Sequence, residues 1–430
     1  MALPQARIDE TEARLAALTM PDGAGWATDA RRAALARFRE MGLPGPRDEY
    51  WRFTNPADFN APLAGDAMPF DASDETPVFG AIDRLKMVFR DGVFDPEASD
   101  DLTVEGVEVG RLADAMATDI HWAKDLYGVI EADAQKPVSR PFAALNTAFA
   151  TDGVVIRATG RVSKPISLIY LHEKSDSDAI LHFLVRVEEG AEVTVLESGP
   201  AASRFNKCME VDVAEGGTFH HVRAQGRDHE RRAVTHLFAR LGSEATLKSF
   251  TLTANGVMTR NEAFIDIVGD DATAHIAGAA VGDGRFHHDD TVFITHDAVN
   301  CESRQVFKKV LRNGAVGTFQ GKILVKEGAQ KTDGYQISQS LLLDEDAQFL
   351  AKPELEIYAD DVACSHGSTS GAIDEEALFY LRSRGVERGD AQDLLVLAFL
   401  AEAIEEIDNE EIAGDILGRL EGWLNRHRSE

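Results

Sequence analysis

Residues 190–245 read GAEVTVLESGPAASRFNKCMEVDVAEGGTFHHVRAQGRDHERRAVTHLFARLGSEA, and their punctuation decides the fold. Gly190-Ala191-Glu192-Val193, Gly216-Gly217-Thr218-Phe219 and Gly242-Ser243-Glu244-Ala245 each open a β-prone segment, and 216 − 190 and 242 − 216 are both 26. A looser copy starts at Asp270, and Gly314-Ala315 and Asp346-Ala347 open later strands. Around them, from Gly153 to about Ala363, the segments are short and rich in Val, Ile, Phe and Thr, as at 154–156, 166–171, 193–196 and 291–294. No convincing amphipathic helix interrupts them. A repeat of this length, with one turn per rung, points to a β-solenoid. A sandwich or barrel of meander hairpins is the competing architecture. A solenoid leaves its last rung open, and a partner chain at the end near residue 360 would cover it.

That end is residues 352–385, KPELEIYADDVACSHGSTSGAIDEEALFYLRSRG. Its first half predicts strands, opened by Pro353 and carrying Leu355, Ile357 and Tyr358. Its second half predicts a helix, with Asp374 as N-cap, Glu375 and Glu376 in the first turn, Ile373 and Leu378 spaced for a staple, and Gly385 at the close. Between the halves stands Cys364-Ser365-His366-Gly367. Residues two apart share a face on a strand, whereas on a helix they point about 200° apart. A strand through Cys364 therefore puts a thiol and an imidazole side by side, a soft and a borderline ligand suited to iron or zinc. The alternative is a buried Cys packed as a small hydrophobe and a His capping the turn.

The 430 residues suffice for two or three domains, and the formal net charge of −29 disfavours nucleic acid and anionic membrane as partners. Three Cys, 208, 301 and 364, lie far apart without a CxxC, so a disulfide framework is not expected and the chain reads as cytoplasmic. The start, MALPQARIDETEARL, lacks the apolar core of a signal peptide, and no apolar run approaches the roughly 20 residues of a membrane span.

The flanks of the β region are mainly helical. In residues 1–150, two helical patterns (Ile8, Leu15, Leu18; then Trp26 to Phe38) precede a break at 42–46. The aromatic run 48–54 reads as a packing plug between helices. Short strands over 86–109 and a helical stretch over 109–149 follow. The β core spans 151–363, and 364–430 forms a C-terminal helical domain, with helices capped by Asp390 and by Asp408 or Asn409. Within the core, His287 and His288 would face opposite ways on a strand, so with Asp289, Asp290 and His296 they do not form one metal site. Residues 317–323, GTFQGKI, fail as a phosphate loop: three residues separate the glycines and Ile follows the Lys, so no nucleotide site is expected here.

Several of these stretches together resemble the SufD-type subunits of the SUF iron–sulfur cluster assembly scaffold. The match lies in 352–385, 141–153, 287–309, 321–323 with 329–333, and 48–54, in that family's order. The resemblance implies a right-handed parallel β-helix core with helical N- and C-terminal regions. It implies pairing with a SufB-like paralogue, and docking of a SufC-like ABC ATPase on the C-terminal helices. It also implies a transient iron–sulfur cluster shared near the paralogue interface, with the family's interfacial His falling on His366 and its neighbouring Cys on Cys364. The chain would then be a non-catalytic scaffold subunit aiding iron acquisition, able to form a homodimer when isolated. Clusters usually need about four protein ligands, and Cys364 with His366 supply half. Asp360 and Asp361 could help hold incoming Fe²⁺, or form a solvated turn. Alternatives are the SufB-type paralogue, usually longer and richer in Cys, and a β-helix carbohydrate-active enzyme, usually secreted.

Overall fold

The computed structural model describes residues 3–69, 76–226 and 229–427. Its core is a parallel β-solenoid of about seven turns, flanked by helices at both ends of the chain. Each rung gives one strand to each of two facing sheets, of ten and nine strands. Glu192–Ser198 leads to Arg204–Val213 in the opposite sheet, and Thr218–Gln225 then stacks in parallel on Glu192–Ser198. A rung thus contains two strands. Gly314-Ala315 and Asp346-Ala347 open strands Val316–Val325 and Gln348–Ile357 of the second sheet, not further copies of the first.

Alternation along each strand builds three layers. Val193, Phe219, Leu247 and Ala274 stack in register and fill the solenoid interior. Val222, Phe250, Ala277 and Val306 face the other way, towards the C-terminal helices.

One corner explains the repeat. Gly190, Gly216, Glu244, Asp271, Asn300 and Lys331 all adopt the left-handed conformation, with φ between 55° and 64°. Each stands two residues before a strand, and its N–H donates to a carbonyl of the next rung: Gly190 to Glu215, Gly216 to Ser243, Glu244 to Asp270, Asp271 to Val299, Asn300 to Gln330 and Lys331 to Asp361. The third copy is centred on Glu244, not Gly242, so the interval is 26 only once and then lengthens.

The N-terminal elements cover the nine-stranded sheet. Helix Pro141–Phe149 packs Phe142 and Leu145 against Ile180, Val234 and Met258. Strand Leu85–Arg90 extends the ten-stranded sheet in parallel, and Val107–Arg111 caps the other sheet antiparallel to Val154–Ala158. The stretch expected to be helical over 109–149 therefore begins as a strand. Its helical content is confined to Leu112–Met116, Trp122–Asp125, Val129–Asp133 and Pro141–Phe149. The aromatic run at 48–54 joins helices to sheet rather than helix to helix. Arg260 and Gln320 donate to the Tyr50 carbonyl at 2.8 and 3.1 Å, and Thr54 Oγ1 donates to Asp289 at 2.5 Å.

At the C-terminus, helices Arg388–Ile404 and Glu410–Arg426 lay Val396, Leu400, Ile416, Leu420 and Trp423 on the ten-stranded sheet. Asn409 caps the second, accepting from the N–H groups of Glu411 and Ile412. Asp390 lies inside the first turn of its helix, where Glu387 holds the N-cap position without a side-chain bond.

Candidate functional site

The last rung consists of Gln348–Ile357 and Ala363–Gly371, each the edge strand of its sheet. Among the described residues, Ala363–Gly371 pairs with Asp333–Leu342 alone, in the register Gly334↔Cys364 and Gln336↔His366. The strand does continue through Cys364, so thiol and imidazole share a face. The helical part begins only at Glu375, where Asp374 accepts from the N–H groups of Glu376 and Ala377 as its cap.

The two side chains have different surroundings. Cys364 is half-buried against Ile323, Val325, Ala329 and Ala359. A glycine beneath it makes room: a Cβ on Gly334 would stand 3.1 Å from the Cys364 sulfur. Burial pushes the thiol up from its usual range, and the Gly334 N–H pulls less strongly the other way. The thiol is thus protonated at neutral pH. His366 is exposed, open to a neighbouring molecule. Under it lies Gln336, fully buried, with both amide atoms lacking a hydrogen-bond partner among the described residues. Asp360 and Asp361 are exposed in the turn before the strand. Asp361 serves the corner through its backbone, accepting from Lys331 at 2.5 Å and donating to Gln330 Oε1 at 3.0 Å. No group of three or more His, Cys, Asp and Glu side chains fit to hold a metal occurs among the described residues. Cys364 and His366 remain a pair.

His287, His288 and His296 are held in contacts within the fold. His287 turns outward to Thr54 Oγ1 at 3.1 Å, while His288 turns inward to Asn261 at 3.1 Å and Lys309 at 3.0 Å. His296 bonds Ser303 Oγ at 2.8 Å. Burial lowers both His288 and His296 to about 4, so both are neutral near pH 7. Cys208 and Cys301 are buried and free. Residues 317–323 run inside strand Val316–Val325.

Gly334 and Gln336 escape sequence reasoning. The signal for them is the rung offset: both lie 30 residues before the side chains they underlie.

A family model described as "SUF system FeS cluster assembly, SufBD core domain" matches residues 170–399, and "SufBD protein N-terminal region" matches 24–168. The chain is 28% identical over 396 residues to iron-sulfur cluster assembly protein SufD of Escherichia coli, covering 90% of each chain. It is 26% identical over 417 residues to SufD of Bacillus subtilis, covering 92% of this chain and 93% of the relative. A SufBD family protein of Synechocystis is 28% identical over 419 residues, with 89% and 88% covered.

Proposed function

The chain belongs to the SufBD family of iron–sulfur cluster assembly proteins, as a SufD-type member, and from that membership we propose that it acts as a non-catalytic scaffold subunit. Cys364 and His366 bring half of a ligand set to the interface with a SufB-like paralogue, which brings the rest. The nascent cluster is cargo, built across the interface and passed on. The observation that carries this reading is the exposure of His366 on an edge strand, on the same face as Cys364. Imidazole is a weaker partner for iron than thiolate, which suits release.

A SufC-like ATPase docks on the C-terminal helices and supplies nucleotide hydrolysis. The support is a face of these helices left uncovered: Phe379, Tyr380 and Leu394 are 74, 56 and 51% exposed, while the neighbouring helix faces bury themselves on the sheet. The subunit works in the cytoplasm, where it aids iron acquisition, and isolated copies pair through the same open rung. No described helix is long and apolar enough to cross a membrane.

The test is His366→Ala in a chain co-expressed with its paralogue and ATPase. Iron and acid-labile sulfide in the purified complex should fall several-fold while the complex still assembles. Normal cluster content and normal growth under iron limitation would remove His366 from the site.

A further inference from the structure

Between helix Glu410–Arg426 and the first rungs of the ten-stranded sheet lies an open cleft of about 920 Å³. Among the described residues its lining holds four arginines, Arg84, Arg90, Arg419 and Arg426, and two carboxylates, Glu173 and Asp415.

Arg90, Arg419 and Arg426 all have partners. Arg90 pairs with Asp95 at 2.5 Å and with Glu173. Arg419 lies 3.7 Å from Asp415 and donates to the Thr76 carbonyl. Arg84 is different: its Nε and Nη1 are buried with no hydrogen-bond partner among the described residues. The indole Nε1 of Trp423, on the lining, shares that condition. Just behind the wall, Arg231 is buried, with Nη2 donating to the Asn255 carbonyl at 3.1 Å and with Nε and Nη1 unmatched. Asp415 Oδ2, an acceptor on the lining, is also without a hydrogen bond, as is His229 Nδ1, whose role follows the tautomer. Donors therefore outnumber acceptors, and each buried donor left unpaired costs about 1–3 kcal/mol. An acceptor-rich anion would satisfy them, and guanidinium groups present the fork that a phosphate accepts. The volume lies within the range of small-molecule sites, about 300–1,000 Å³.

We propose that this cleft binds an organic phosphate of mononucleotide size, with Arg84 and the Trp423 indole N–H as donors to the phosphate oxygens. The ligand clasps the last helix to the first rungs. Nothing in this depends on the metal half-site.

The probes are ADP, inorganic pyrophosphate and citrate, titrated into the full chain alone by calorimetry against sodium chloride of equal ionic strength. ADP and pyrophosphate should bind, and Arg84→Gln should weaken both about tenfold or more, the loss expected for one charge-assisted hydrogen bond. No heat above the salt control, binding of citrate alone, or undiminished binding by a folded Arg84→Gln variant would each overturn the assignment. Should that variant misfold, crystals of the unaltered chain soaked in tungstate decide the matter. An anomalous peak beside Arg84 supports the site, and peaks only elsewhere refute it.

Discussion

His366 and His296 are both imidazoles at strand positions, and their surroundings are opposite. His366 is exposed, whereas His296 is fully buried, with Nε2 on Ser303 and Nδ1 unmatched among the described residues. Burial holds His296 at about 4, below its unfolded value of about 6.5. A base lowered on folding favours the neutral form, so its contribution is whole above pH 6.5 and is lost as pH falls towards 4. The shift corresponds to up to about 3 kcal/mol. Urea unfolding from pH 7.5 to 4.5 should show this decline, and His296→Gln should flatten it; an unchanged slope would assign the acid sensitivity elsewhere. The pairing of Cys364 with His366 was legible because strand periodicity is two whatever the rung length. Gly334 and Gln336 were not, because the interval that places them is 30 at the open end and 26 at the first corner.

Strand ends and corners carry the rung geometry. Gly199 closes strand Glu192–Ser198 at φ 104°, and a Cβ there would fall 2.0 Å from the Tyr170 carbonyl oxygen. Gly199→Ala should cost about 3 kcal/mol or more, since backbone rather than a side chain must yield. Gly190→Ala at φ 64° meets nothing within 4 Å and should cost only about 1 kcal/mol. Denaturation midpoints compare the two, and equal losses would mean that the rung re-seats. The same corner shows why the repeat faded after two copies. Glu244, Asp271, Asn300 and Lys331 hold the left-handed position that Gly190 and Gly216 hold earlier, fixed by the rung-to-rung hydrogen bond rather than by glycine's freedom. A reader following glycines slips to Gly242, two residues early. Over 109–149, apolar spacing suggested one helical stretch because Val107–Arg111 forms a strand only through its pairing with Val154–Ala158.

At the scale of the molecule, each rung touches mainly its neighbours, so stability is distributed along the stack. Amides of Ala363–Gly371 should exchange with solvent about tenfold or more faster than those of Thr246–Ala254, which has a parallel strand on either side. Pairing with a sister subunit should slow the former. Hydrogen exchange read by mass spectrometry gives the profile, and uniform protection would contradict it. The solenoid and the helical flanks were readable from texture and spacing. Which sheet face each helix covers was not, because that depends on contacts far apart in sequence, such as Leu400 and Trp423 with Val222 and Val306 in one apolar layer.

The tail of this chain does not end where its last rung ends. Helix Arg388–Ile404 lies over the later strands, and the helix after it runs back until Arg419 reaches Thr76, beside Arg84 and the opening turns of the stack. The protein is buckled like a belt, its tongue fastened next to where the strap began. Helix Glu375–Ser383 packs on Arg388–Ile404, which lies on the sheet, so the outermost helix is tied to the coil through its neighbour as well as through the strand before it.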